Sequence, residues 1–189
     1  MKKAGMLITL SVFTLALASL ACTVFIGGPA YPSAPIAVST EAVSSLNDQI
    51  HAAQTAAAQN GVLALTVTET QLTSLLAAKL AAQTDPFLRD PQVYLRNNEI
   101  QVYGKARQGG LEANVRIILS ASIDAEGKPL IAVTSVNFGP LPAPEGLNKT
   151  ISAFIAEAFT GMLGPAAFGL RLESITIADG VMTLAGRVK

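Results

Sequence analysis

The sequence predicts an α+β fold: a mostly antiparallel sheet built on a long central hairpin and packed against about three helices. Three observations carry that expectation. First, residues 111–123 alternate: Leu111, Ala113, Val115, Ile117, Leu119, Ala121 and Ile123 fall on one side. Glu112, Asn114, Arg116, Ser120, Ser122 and then Asp124 fall on the other, with Ile118 the one apolar intruder. Successive side chains of a strand point to opposite faces, so this arm has one apolar and one polar face. The chain turns at 125–127 and runs back over 129–138. At ~3.3 Å per residue the arm spans roughly 40 Å, well beyond the usual strand. Second, adjacent strand-like runs are joined by hairpin-length connections, which makes them antiparallel. Third, three stretches carry apolar residues at helical spacing.

The elements follow in order. Ser39 or Thr40 caps a helix running to about Gln59, stopped by Asn60-Gly61, with Val43, Leu46, Ile50, Ala53 and Ala57 as a narrow apolar stripe. Residues 62–67 form a short strand. Thr68-Glu69-Thr70-Gln71 has capping-box spacing and opens a second helix, with Leu72, Leu75, Leu76 and Leu80 on one face and Asp85-Pro86 beyond its end. Residues 91–95 and 100–106 read as a hairpin closed at Asn97-Asn98, and Gln108-Gly109-Gly110 turns the chain into the long ribbon. The run from Gly139 to Pro144 breaks the sheet. Residues 145–163 carry the strongest helical pattern, through Leu147, Ile151, Phe154, Ile155, Ala158, Phe159, Met162 and Leu163, and Gly164-Pro165 stops it. A last hairpin, 170–178 and 181–188, turns on Asp179-Gly180. Its first strand shifts apolar phase between Leu172 and Ile175, which calls for a bulge near Ser174.

Composition bounds the function. Half of the 189 residues are hydrophobic and 14% are charged, against about a quarter in ordinary domains. Basic and acidic residues balance at 13 each, which leaves no phosphate-binding footprint and excludes nucleic acid as a partner. One Cys and one His exclude a disulfide framework, and no cofactor or metal site is expected. Without a second His or Cys, or a nucleophile elbow, nothing assembles a catalytic triad around His51, and the carboxylates fall at caps, turns and polar strand faces. The chain is therefore not expected to be an enzyme. Gly27-Gly28 and Gly109-Gly110 are too short for phosphate loops.

Lys2 and Lys3 precede an uncharged apolar run, 4–21, that ends in Ser19-Leu20-Ala21-Cys22. A basic start, an apolar middle and small residues at the end describe a secretory signal, residues 1–21. Its end resembles the bacterial lipobox, in which the cysteine after the cut is diacylated, although Ser19 stands where leucine is usual. Cys22 is the only cysteine, at the one place acylation would use it. Two or three acyl chains, at ~0.8 kcal/mol per buried methylene, hold a protein on a membrane durably. Ordinary secretory cleavage fits Ser19-Leu20-Ala21 as well, and the uncharged stretch 4–26 is long enough for a retained transmembrane anchor. All three readings place the rest of the chain outside the cytoplasm. Residues 22–39, with Pro29, Pro32 and Pro35 at three-residue spacing, read as an extended tether holding a single domain, 40–189, off the bilayer.

The strand-to-helix segment at 63–77, the hairpin about Asn97-Asn98 ending in Val102-Tyr103-Gly104, and the long ribbon followed by Val136-Asn137-Phe138-Gly139-Pro140-Leu141-Pro142 and an amphipathic helix go together. In this order they resemble the LmeA-like phospholipid-binding domains and the related domains of unknown function 2140 of bacterial envelopes. The resemblance covers about residues 60–189 and rests on apolar and turn patterns alone. It implies half of a tubular lipid-binding fold, with a curved sheet wrapped around helices. It also implies a lipid acyl chain held between sheet and helix by Val115, Ile117, Leu119, Phe154, Phe159 and Met162. On the residues themselves, such an aromatic and methionine stripe is usually plain core; the acyl-chain reading rests on the length of the ribbon and on the resemblance. A closed, non-enzymatic module docking another envelope protein is the alternative function.

Overall fold

The computed structural model describes residues 24–108, 110–140, 152–153 and 170–188. In chain order the elements are β1 (Val24–Phe25), α1 (Thr40–Asn60), β2 (Val62–Thr68), α2 (Glu69–Ala81), β3 (Arg89–Arg96), β4 (Glu99–Gln108), β5 (Leu111–Ile123), β6 (Pro129–Phe138), β7 (Leu170–Ala178) and β8 (Val181–Val188). The fold is α+β with a curled, mostly antiparallel sheet, as expected. Two helices are present among the described residues rather than about three. The third expected helix, 145–163, lies outside them except for Ser152 and Ala153.

The strands form two sheets rather than one. The larger runs β3-β4-β5, with β6 on the far side of β5. The smaller is β2-β8-β7, so the strand after α1 pairs with the last strand of the chain, Val62 opposite Arg187 through Thr68 opposite Val181. One pairing is parallel: β1 lies beside the start of β5, Val24 opposite Leu111. β1 and β6 share one edge of β5, since β6 pairs with β5 only from Val115 onward.

Local chemistry sets most element ends. The Ser39 hydroxyl accepts from the Ala42 amide at the start of α1, and Gly61, at φ 75°, closes its other end. Thr68 and Gln71 make the reciprocal capping box of α2. Asn97 and Asn98 both hold positive φ, as do Asp179 and Gly180, the geometry of two-residue turns that match strand twist. The phase shift in β7 is a bulge: Leu172 faces Gly186 and Ser174 faces Ala185, leaving Glu173 extra. A side chain at Gly186 would strike the Arg171 carbonyl, so the bulge needs glycine opposite it.

The helices cover one side. Leu46, Ile50, Ala53 and Ala57 of α1 bury against β2 and α2, while Leu72, Leu76 and Leu80 of α2 bury toward β3. Helix α2 also closes the outer edge of β3, whose amides would otherwise be unpaired. The Val93 amide donates to the Thr73 hydroxyl and the Leu95 amide to the Glu69 carboxylate. The Gly180 amide donates to the Leu95 carbonyl, which ties the smaller sheet to the same edge.

Candidate functional site

The inner face of the larger sheet is one apolar surface. Across the strands it aligns Val93 and Leu95, then Ile100, Val102, Gly104 and Ala106, then Ala113, Val115, Ile117 and Leu119. Val115, Ile117 and Leu119, the expected ligand-lining residues of β5, are at most 2% exposed and belong to the buried core. Their expected partners Phe154, Phe159 and Met162 lie outside the described residues.

Further along the same face the burial changes. Ala121 and Ile123 of β5 and Ile131, Val133 and Val136 of β6 are only partly buried, and Ile175 of β7 joins them. The change falls at a bulge. Ile118 faces Ser135 and Leu119 faces Val133, so Thr134 is the extra residue and the ribbon bends there. Tight alternation continues through the bend because Ala121 still faces Ile131. The ribbon's tip is held by β7: the Leu172 amide donates to the Gly127 carbonyl, and the Arg171 guanidinium to the Ala125 carbonyl. The half-buried row is therefore a fixed surface, continuous with the core. Its chemistry is purely apolar, suited to methylene chains and to nothing that needs a polar partner.

The outer face holds a feature that the sequence reading missed. Residues 24–39 are extended, as the proline spacing suggests, but they are laid against the domain and are not a free tether. The Val24 amide donates to the Gly110 carbonyl at 2.8 Å and the Ile26 amide to the Glu112 carbonyl at 2.9 Å. The Asn114 amide donates to the Gly27 carbonyl, and the Asn114 side chain to the Pro29 carbonyl. The chain then crosses β4 and β3. The Tyr31 hydroxyl donates to the Asp90 carbonyl and the Tyr94 hydroxyl to the Ala34 carbonyl, while Gln92 both accepts from the Ile36 amide and donates to the Ile36 carbonyl. The Ser39 amide ends the run on the Ser74 hydroxyl. The stretch is a strap, and the physical reason is the supply of unpaired polar groups on the face it crosses.

All three tyrosines of the chain sit along this strap. Tyr94 and Tyr103 meet edge to face at 5.8 Å. A cation lies over each ring: Arg96 over Tyr94, Lys105 over Tyr31 and Arg116 over Tyr103. Burial, with the Asp90 charge adding and Lys105 opposing, raises the Tyr31 hydroxyl above its ordinary value. Burial, with Glu69 adding, does the same for Tyr94. Arg96 pairs with Glu69, and Lys105 with Asp90 at 2.9 Å. A groove of about 330 Å³ lies between Ala30, Tyr31 and Pro32 on the strap and Tyr94, Arg96, Gln101 and Tyr103 on the sheet. Its tyrosine hydroxyls are engaged in holding the strap or in bonding Gln101, so its first role is structural.

The signal for the strap was present but ambiguous. Val24-Phe25-Ile26 is a short β-prone run, and Gly27-Gly28 marks a close approach: a side chain at Gly28 would strike the Asn114 carbonyl oxygen. The buried polar residues Thr73, Ser74 and Gln92 gave no such sign, because their partners are distant in sequence. His51 is exposed on α1. Among the described residues no helix is long and apolar enough to cross a membrane, and no three His, Cys, Asp or Glu side chains are grouped as a metal ion requires. Cys22 lies outside the described residues. No protein-family model matches this chain, and no curated protein matches it.

Proposed function

We propose that this chain is a membrane-held, extracytoplasmic lipid-binding module, anchored through acylated Cys22 and taking a lipid acyl chain along the inner face of its ribbon. The observation that carries this is the half-buried apolar row of Ala121, Ile123, Ile131, Val133 and Val136, fixed in place and continuous with the core. The row offers no charge or hydrogen-bond donor, so an acyl chain suits it and a polar substrate does not. The helical pattern that includes Phe154, Phe159 and Met162 supplies the opposing wall in this reading, and the resemblance to the LmeA-like domains points the same way. About eight buried methylenes at ~0.8 kcal/mol each supply ~6 kcal/mol, a dissociation constant of roughly tens of micromolar before ordering costs.

The test is native mass spectrometry of the purified full chain, followed by binding of a fluorescent fatty acid after delipidation. The wild type is expected to carry lipid. Val133→Lys should lower fatty-acid binding at least tenfold with little change in melting temperature, because Val133 is not fully buried. A wild type that neither carries nor binds lipid refutes the reading. The alternative, an interaction module, is favoured by one observation: among the described residues β6 pairs only with β5, so its other edge is free to take a strand from a partner.

A further inference from the structure

We propose that the corner formed by Val24, Phe25 and Leu111 sits in the bilayer interface, so that the domain stands on the membrane in one orientation. The inference rests on the membrane-held reading above and adds a contact surface to it. Among the described residues Val24 at 57% and Phe25 at 56% are the most exposed large apolar side chains, and Leu111 beside them is exposed at 38%. The parallel pairing brings them together, with Val24 directly beside Leu111. Val24 and Phe25 point to opposite faces of a strand whose other edge is unpaired among the described residues, so the corner is a protruding apolar rim. Such a rim suits insertion among headgroups better than docking on a flat protein surface.

Where the chain goes next identifies the occupant. Only Thr23 separates Val24 from Cys22, and the uncharged run 4–21 comes directly before. Two residues reach at most ~7 Å. The headgroup layer on each side of a bilayer is itself roughly 5–7 Å thick. Whether the anchor is an acylated Cys22 or a retained apolar span, Val24 cannot leave the interface. A free tether would let the domain drift away all the same. Here β1 is hydrogen-bonded to β5, and the strap is fastened again at Pro29, Tyr31, Ala34 and Ile36, so the domain is held where β1 is held. Just inside the corner Arg107 faces Glu112 across β4 and β5, which leaves no net charge and makes apolar burial the driving term.

The chain contains no tryptophan, so a single introduced indole reports its own surroundings. The experiment uses the full chain in phosphatidylcholine–phosphatidylglycerol vesicles, with Leu111→Trp, Phe25→Trp and Leu130→Trp as separate variants. Leu130 is 54% exposed and faces Ser122, near the far end of the ribbon, roughly 36 Å along β5 from Leu111. Co-flotation is measured first, and quenching by lipids brominated in the upper acyl chain second. Leu111→Trp and Phe25→Trp should emit at shorter wavelength and lose more than half their intensity, and Leu130→Trp should do neither. Quenching of Phe25→Trp alone means that the strap reaches the bilayer without the domain, which overturns the proposal. Vesicle-bound protein with no quenching at either corner site overturns it too, while leaving membrane attachment standing. A chain that does not float overturns both. All three sites are exposed, so folding should survive, and Val24→Trp repeats the measurement if Phe25→Trp melts early.

Discussion

Gly28→Ala tests the strap at its tightest point. Gly28 holds φ at 128°, a region that residues with a side chain avoid, and an added Cβ would run into the Asn114 carbonyl oxygen with the Asn114 amide nitrogen at 3.0 Å. Such strain typically costs about 1–3 kcal/mol. The strand can escape it by letting go of β5. Release gives up three backbone hydrogen bonds, Val24 to Gly110, Ile26 to Glu112 and Asn114 to Gly27, each worth a net ~0.5–1.5 kcal/mol. The two costs are comparable, so residues 24–28 should spend much of their time detached, while the fastening at Ala34 and Ile36 persists. For a chain of this size ~1 kcal/mol shifts the melting temperature by roughly 2–4 °C, so a fall of about 2–12 °C is expected. Amide hydrogen exchange localises the loss. Protection of the Asn114 amide should fall at least tenfold, and that of Ile117, paired on both sides in the middle of β5, should stay. Gly110→Ala is the control at the same corner, since nothing lies within 4 Å of an added Cβ there. Unchanged melting and unchanged Asn114 protection in Gly28→Ala would refute the docked strap.

Three further outcomes are expected. Ile117→Asp buries an unpaired carboxylate at a site 1% exposed and should cost several kcal/mol, whereas Ser120→Asp, exposed on the other face, should stay within ~0.5 kcal/mol; similar chemical-denaturation midpoints for both would contradict the face assignment. Cys22→Ser should accumulate an uncleaved precursor and abolish labelling by a fatty-acid analogue, and undiminished labelling would exclude Cys22 as the acceptor. Tyr31 and Tyr94 are both raised above the ordinary 10.0, so folding favours their neutral forms. Their contribution is complete below pH 10.0 and is lost as pH rises through the folded-state values. A spectrophotometric titration, assigned with Tyr31→Phe and Tyr94→Phe, should show the Tyr31 and Tyr94 phenolates forming above 10.0; ionisation of these two below 10.0 would contradict the desolvation of their hydroxyls.

What could be read from the sequence was local. The alternation at 113–119 needs only the two-residue period of a strand. The turns at Asn97-Asn98 and Asp179-Gly180, the caps at Ser39, Thr68 and Gly61, and the bulge beside Ser174 each need only their neighbours' chemistry. Of the expected ligand site, Val115, Ile117 and Leu119 were legible as a common inward face, but how deep that face lies was not. Alternation states which side a residue faces and says nothing about what covers it, and the bend at Thr134 that parts the buried half from the half-buried one arises from the pairing of two strands.

Tertiary structure decided the rest. The division into two sheets depends on β2 meeting β8, more than a hundred residues away, and no signal in either strand names its partner. The place of β1 depends on β6 leaving the start of β5 unpaired, an opening that exists only once the ribbon has formed. The burial of Thr73, Ser74 and Gln92 follows likewise from amides and carbonyls that the sheet edge and the strap leave in want of partners. Local sequence encodes backbone preference and facing. Partners for backbone groups are settled only by the assembled chain, and that is why a proline-rich stretch with the composition of a tether is a fastened part of this fold.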